Sequence, residues 1–399
     1  MRTLVVSEFF PGEPYGAAMR INLVCRTLAE FGPVDLVCLP YGPQPPRAAD
    51  GLFRKVHMLP QSATPNPRGI VYGIPGVPME SRLAQARERS IAKVRGRVGH
   101  EDYDLVWYNR ERTWLIARDA VAAPAVIDVD DLEDLMLSRW LDLGKDDQGD
   151  VLTESVRALM AADIDWWRAV HQQAAARAEV LVFASETDQR RLECPKSVVL
   201  PNTYDGTAPL DPRPDGRRAP VILFQGSLGW PPNEDAAVWL VEEIAPRIRQ
   251  RFPDLRIVLP GPATARVEAL TTEAGVEVPG AVPSMAPYLR DADVVVVPLR
   301  VGGGTRIKIL EAFAHRVPVV STSIGAEGLD VEPGRHLELA DDPAVIAQRC
   351  VALLASPAAR ERLARNAHEL YETRYRSANG RERIQQAVRM AVGSADGCG

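Results

Sequence analysis

The stretch 294-VVVVPLRVGGGTRIKILEAFAHRVPVVS-321 decides the fold. It opens on an unbroken apolar run, Val294–Pro298, and closes on another, Pro318–Ser321. Unbroken runs without polar alternation read as strands buried on both faces. Between them lie three glycines and a helical pattern, Arg306–His315. Strand, loop, helix and strand in that order imply two parallel strands joined by a right-handed crossover.

The same grammar extends in both directions. Strands are expected at Leu4–Ser7, Val34–Leu39, Lys55–Leu59, Leu105–Tyr108, Ala125–Val129, Val180–Ala184 and Ser197–Pro201. A second series follows at Val221–Gln225, Arg256–Pro260, Val276–Val278, Val294–Pro298, Pro318–Ser321 and, more weakly, Leu337–Leu339. Helices are expected at Ala17–Phe31, Ser81–Val98, Thr153–Ala178, Asn233–Arg251 and Arg266–Ala274. The series are separated by 201-PNTYDGTAPLDPRPDGRRAP-220, rich in Pro, Gly and Asp and without apolar period, which reads as an interdomain linker. A chain of 399 residues suits two or three domains. The expected division is an α/β domain over 1–205, a second over 206–376, a C-terminal helix over 377–392 and a tail over 393–399.

The glycine loop carries the chemistry. Gly302, Gly303 and Gly304 permit positive φ and place no Cβ in the way of a ligand. Thr305 is the expected N-cap of a helix beginning near Arg306. Backbone N–H groups at a helix start form an anion site, and a diphosphate is the biological anion that suits it best. Arg306 and Lys308 stand against the helix dipole, at a cost of about 0.3–1 kcal/mol each. A bound anion would reverse that sign. Glu311, one turn beyond Lys308, is placed to accept hydrogen bonds from two ribose hydroxyls. The competing reading is a tight turn followed by a Lys–Glu surface pair worth a few tenths of a kcal/mol. Two cations set against the dipole, at the carboxyl end of a parallel strand where α/β proteins bind ligands, favour the anion site.

Two further glycine loops follow strands. In 222-ILFQGSLGWPPNEDA-236, Gly226 and Ser227 precede a helix expected to be capped near Asn233. In 8-EFFPGEPYGAAMR-20, Gly12 and Gly16 precede a helix carrying Arg20. Neither fits a Walker loop or a G-x-G-x-x-G fingerprint, which weighs against nucleotide hydrolysis and dinucleotide redox chemistry.

Composition narrows the class. Hydrophobic residues make up 46% and charged residues 25% of the chain, as in soluble globular proteins. A net charge of −6 argues against a nucleic-acid partner. Five scattered cysteines with no C-x-x-C pairing suggest a reducing, cytoplasmic setting without disulfides or zinc. The N-terminal MRTLVVSEFFPGEPYG reads as a first strand, not a signal peptide, and no apolar stretch reaches the ~20 residues of a membrane span. Peripheral membrane contact stays open.

The segments 226-GSLGWPPNEDA-236 and 278-VPGAVPSMAPYLRDADVVVVPLRVGGGTRIKILEAFAHRVPVVSTSIGAEGL-329 resemble the group-1, or family-4, glycosyltransferases with the GT-B fold. The resemblance is strong from about Val221 to Leu329 and collinear over the first half, in PGEPYGAAMRINLVCRTLAEFG, VIDVDD and VVLPN. It implies two Rossmann-like parallel-sheet domains facing a central cleft, with the C-terminal helix crossing back to the first domain and domain closure over the ligands. It also implies transfer of a sugar, with retention and without a metal or further cofactor, from a nucleotide diphosphate to a hydroxyl acceptor. UDP is the commonest such nucleotide. The acceptor stays open among a glycan, a lipid-linked sugar and a small natural product.

By matched position, Glu311 would bind the ribose, and Gly302 to Thr305 would face the sugar and diphosphate. Gly280, Ala281 and Val282 would border the base. Gly16 and Ala17 would approach the phosphates from the opposite domain, and Arg20, Gly226 and Ser227 complete the expected donor set. Three departures stand out. Gly303 occupies a position where many members carry Glu. GSLGWPPN lacks the Arg and Lys that many members carry there, so Arg306 and Lys308 are assigned the phosphate charge, as in the GGGT-R-x-K branch. Asp130 aligns near a residue that is often His, and is the candidate for orienting the acceptor. With no convincing nucleophile, front-face attack assisted by a leaving phosphate oxygen is the expected route.

The letters D-x-D in 128-DVDD-131 read as a strand end, not a metal site. Trp140, Trp166 and Trp167 read as packing in preference to an acceptor platform, and His171 and His315 as structural. Rival readings are a sugar-nucleotide epimerase, a phosphorylase using Lys308 for its cofactor, and a non-catalytic nucleotide-sugar-binding subunit.

Overall fold

The computed structural model describes residues 1–12, 16–40, 51–59, 77–146, 150–206, 219–304 and 306–393. Thr305, most of the expected linker and the tail beyond 393 lie outside them. The chain forms two compact units. The first comprises Met1–Gly144, Val151–Asn202 and Ala378–Gly399, and the second Lys145–Asp150 and Thr203–Ser377.

The first unit is built on seven strands: β1 (Thr3–Ser7), β2 (Val34–Cys38), β3 (Lys55–Met58), β4 (Leu105–Asn109), β5 (Ala125–Asp128), β6 (Val180–Phe183) and β7 (Ser197–Val199). They lie in the order β3-β2-β1-β4-β5-β6-β7, with every neighbouring pair parallel. Strands β1, β2 and β4 are buried along their whole length, which is why apolar residues dominate them; the one charge, Asp35 in β2, is met by Arg54 and Tyr103. The helix Gly16–Leu28 turns Ala18, Ile21, Cys25 and Leu28 inward, one stripe at helical spacing. Ile384, Ala387, Val388 and Ala391, from the helix Ser377–Gly393, join the same core.

The second unit has six strands: β8 (Val221–Leu223), β9 (Arg256–Pro260), β10 (Val276–Gly280), β11 (Val294–Val297), β12 (Val319–Ser321) and β13 (Glu338–Leu339). Their order is β10-β9-β8-β11-β12-β13, again with parallel neighbours. In this unit the strand order reverses at β8/β11, and in the first at β1/β4. Ligands of open α/β sheets bind at the carboxyl ends of such switch-point strands.

Several local expectations are corrected. The helix expected over Asn233–Arg251 begins at Pro231, with Trp230 as N-cap, and widens into a π-turn at Leu240–Ile244. Pro246 follows after Ala245; it has no N–H to give the preceding turn and its ring crowds the carbonyl four residues back, so the chain adopts the wider turn. The helix expected over Arg266–Ala274 runs from Ala265 to Glu268 and tightens to a 3₁₀ turn over Ala269–Thr272. There the hydroxyls of Thr271 and Thr272 bond to the carbonyls three residues back, and Gly275 leaves the turn at φ +72°. The helices Glu111–Ala117, Glu133–Leu143, Glu186–Leu192 and Ala286–Asp291 were not anticipated.

Candidate functional site

The loops that follow β8 and β11 flank the switch point of the second unit. After β8 the chain passes Phe224 and Gln225 to Gly226, which has φ +142°. A Cβ on Gly226 would lie 3.3 Å from Lys308 Nζ and 3.3 Å from Asn233 Nδ2, so glycine answers both the backbone angle and the approach of these side chains. After β11, Gly302 and Gly304 also take positive φ, +141° and +63°. A Cβ on Gly302 would lie 2.6 Å from the Arg306 guanidinium.

The helix expected from Arg306 starts at Ile307, and Arg306 is its N-cap, without a side-chain capping bond. The guanidinium instead donates to Gly304 O at 2.6 Å. Its N-cap position corrects the assignment of that role to Thr305. Lys308 falls in the first turn. Its Nζ donates to Asn233 Oδ1 at 2.7 Å and sits 4.2 Å over the Phe224 ring. The ammonium on the β11 side therefore reaches the β8 loop, beside Gly226, where the sequence lacks cations of its own. Burial, and then the like charge of Arg306, bring Lys308 down to about 7.

Glu311 stands one turn further on. It accepts from Gln225 Nε2 at 3.3 Å. Burial pushes it up to about 6, against the opposing pull of Gln225 and Lys308. Ser227 is exposed, and its carbonyl receives Asn233 Nδ2 at 2.8 Å. Gly280, at φ +75°, ends β10 and accepts from Gly261 N, with Ala281 exposed and Val282 half-buried beyond it. The second unit thus brings together Gly226, Ser227, Lys308 and Glu311 around the β8/β11 switch point. Sequence reasoning missed Gln225 and Asn233 as members. Their signal was two amides in the segment between a strand and a helix.

In the first unit, Gly16 and Ala17 open the helix Gly16–Leu28 and are half-buried. Arg20 does not face a ligand, contrary to the expectation. Its Nη2 and Nε bond to Asp128 at 2.7 and 2.9 Å, and its Nη1 to Leu200 O at 2.7 Å and Asn202 Oδ1 at 3.1 Å. All three guanidinium nitrogens are used inside the protein, and the side chain is 2% exposed. Burial works against its charge, but Asp128 and Asp130 outweigh it and hold the guanidinium above its ordinary range.

Asp130 lies 3.7 Å from Arg20 Nε and 3.3 Å from Arg110 Nη2, which also meets Asp131 at 3.1 Å. The D-x-D carboxylates are thus engaged by two arginines. Arg110 and Asp130, each just beyond a strand end, take positive φ of 71° and 56°. Such angles cost a non-glycine residue on the order of 1–3 kcal/mol and persist where surrounding contacts impose them. His171 lies between Glu111 at 2.7 Å and Asp134 at 3.0 Å, stacked on Trp167. Trp140 and Trp167 are fully buried in the core, and Trp166 packs edge-on against Trp167.

Residues 219–356 match the family model for glycosyl transferases group 1. A stretch of 165 residues is 24% identical to an uncharacterized 44.6 kDa protein in the cps region of Klebsiella pneumoniae, and covers 39% of this chain and 42% of that one. The fold is shared with sucrose-phosphate synthase from Thermosynechococcus elongatus, at a TM-score of 0.75 and 16% identity over 99% of this chain and 100% of that one. It is also shared with Anabaena HepE in complex with UDP and glucose, at 0.65 and 15% identity over 97% and 98%. Among the described residues, no helix is long and apolar enough to cross a membrane. Similarity to the group 1 glycosyl transferases thus lies in residues 219–356, within the second unit, and the chain as a whole shares the GT-B fold of these solved structures.

Proposed function

We propose that the protein transfers a sugar, as a hexosyltransferase would, from a nucleoside diphosphate to a hydroxyl acceptor, with retention and without a metal. UDP is the proposed nucleotide; Anabaena HepE, of the same fold, is seen with UDP and glucose. Residues 206–376 would hold the donor, and residues 1–205 would receive the acceptor: a glycan, a lipid-linked sugar or a small natural product. The observation that carries this reading is the pair Lys308 and Glu311. Both are drawn toward their neutral forms, at about 7 and about 6, in a loop pair built for a ligand. A diphosphate beside Lys308 restores its charge, and a ribose diol satisfies Glu311.

As the bond to the sugar breaks, negative charge collects on the departing diphosphate. Arg306, Lys308 and the N-terminus of the helix Ile307–Ala314 would meet that charge in a preorganised setting. This is the work a metal would otherwise do. The acceptor hydroxyl attacks from the face the diphosphate leaves, and a phosphate oxygen takes its proton. Asp130, fixed by Arg20 and Arg110, would orient the acceptor.

The test is a melting series with UDP, GDP and ADP. UDP should raise the melting temperature, and Lys308→Ala should remove the rise. An unchanged response in that variant would overturn the phosphate assignment. Slow hydrolysis of a UDP-sugar by the wild type separates an enzyme from a non-catalytic binding subunit, and turnover to an isomeric sugar nucleotide without acceptor would identify an epimerase.

A further inference from the structure

We infer that Gln225 and Asn233, two neutral amides following β8, are positioning residues that aim Glu311 and Lys308 at the ribose and the diphosphate. The inference rests on the donor-site reading above.

Asn233 is used at both ends. Its Nδ2 donates to Ser227 O at 2.8 Å, which fixes the amide, and its Oδ1 receives Lys308 Nζ at 2.7 Å. The lysine has four rotatable bonds, and this acceptor selects one position for its ammonium. An aspartate here would hold the lysine more strongly, but it would cancel its charge and repel a diphosphate. The amide gives direction without discharging the cation.

Gln225 does the same for the anion. Its Nε2 lies 3.3 Å from Glu311 Oε2 and 3.3 Å from the Lys308 carbonyl, so one amide ties the carboxylate to the backbone of the first helical turn. Both neighbours are acceptors, which requires the amide nitrogen to face them. Its Oε1 is then left buried with no hydrogen-bond partner, in a residue only 1% exposed. Packing alone would not select such an arrangement, since an aliphatic side chain of that size would fill the space with no unsatisfied acceptor.

The two amides therefore divide the ligand between them, and the experiment exploits that division. Affinities are measured for UDP, 2′,3′-dideoxyuridine diphosphate and uridine in the wild type, Asn233→Ala and Gln225→Met, using competition against UDP for the weaker ligands. Asn233→Ala should weaken both diphosphates about tenfold, the loss expected for one hydrogen bond to a charged group, and leave uridine within about twofold. Gln225→Met should weaken UDP and uridine by about the same factor and spare the dideoxy nucleotide. Should Gln225→Met not fold, Gln225→Leu removes the same donor without adding charge and predicts the same ligand pattern. Equal losses across all three ligands, or no loss, would overturn the inference and reduce both residues to packing. A wild type that binds UDP no more tightly than uridine would instead overturn the donor-site reading itself.

Discussion

Both units bury charge at the carboxyl end of a parallel sheet, and they treat it in opposite ways. In the first unit, Arg20 and Arg110 pair with Asp128, Asp130 and Asp131 in one buried ion cluster. Arg20 has a protein partner for each guanidinium nitrogen, and both arginines are held above their ordinary range, burial being outweighed by the carboxylates. In the second unit, Lys308 meets a neutral amide and an aromatic ring, and Glu311 meets a neutral amide. Both are driven toward neutrality. Buried charge that is compensated within the protein holds a structure in place. On the proposed donor-site reading, the buried charge that the second unit sets against neutral amides is the charge a ligand would complete.

The first unit offers the sharpest way to break this contrast. Arg20→Met should destabilise it by about 3–5 kcal/mol, because Asp128 would be left as an uncompensated buried charge. Chemical denaturation measures this. A loss below ~1 kcal/mol would mean that Arg20 does not compensate Asp128.

His171 gives the next effect. Burial works against its charge, but Glu111 and Asp134 raise it to about 10, above the ordinary value of 6.5. A raised histidine contributes stability that is complete below about pH 6.5 and is lost as pH rises through about 10. The wild type should lose on the order of 2–4 kcal/mol across that window beyond any loss in His171→Gln. Parallel pH curves for the two proteins would show that the histidine does not carry the charge assigned to it.

The smallest effect belongs to the second unit and has the opposite sign. Lys308 is depressed when folded, so its burial disfavours the ligand-free state below its unfolded value. Lys308→Met should therefore raise the melting temperature of the ligand-free protein by about 2–4 °C, the shift roughly 1 kcal/mol gives in a domain of this size. A fall in melting temperature would place Lys308 among the compensated charges.

The contrast also explains what the sequence could reveal. The strands were legible because burial on both faces leaves unbroken runs such as Val294–Val297. The helix Gly16–Leu28 was legible from its apolar spacing. The glycine loop was legible because Arg306 and Lys308 oppose a dipole that local sequence already implies. The role of Arg20 was not. Its partner Asp128 lies 108 residues away, and a pairing across that distance leaves no local period to read. Gln225 and Asn233 escaped for the same reason: their partners lie on the segment after β11, 75 to 86 residues on. Seven-residue helices such as Glu111–Ala117 escaped because two turns carry too few apolar repeats to stand out from a loop.

The central claim is that the Lys308 charge is incomplete until a diphosphate arrives. Titration calorimetry with UDP at about pH 8, in buffers of different ionisation enthalpy, tests it most directly. Glu311, at about 6, is already ionised there, as is the terminal phosphate of UDP, whereas Lys308, at about 7, is largely neutral. Binding should take up a proton, approaching one per UDP, and the uptake should vanish in Lys308→Met. A binding enthalpy independent of buffer in the wild type would contradict the account.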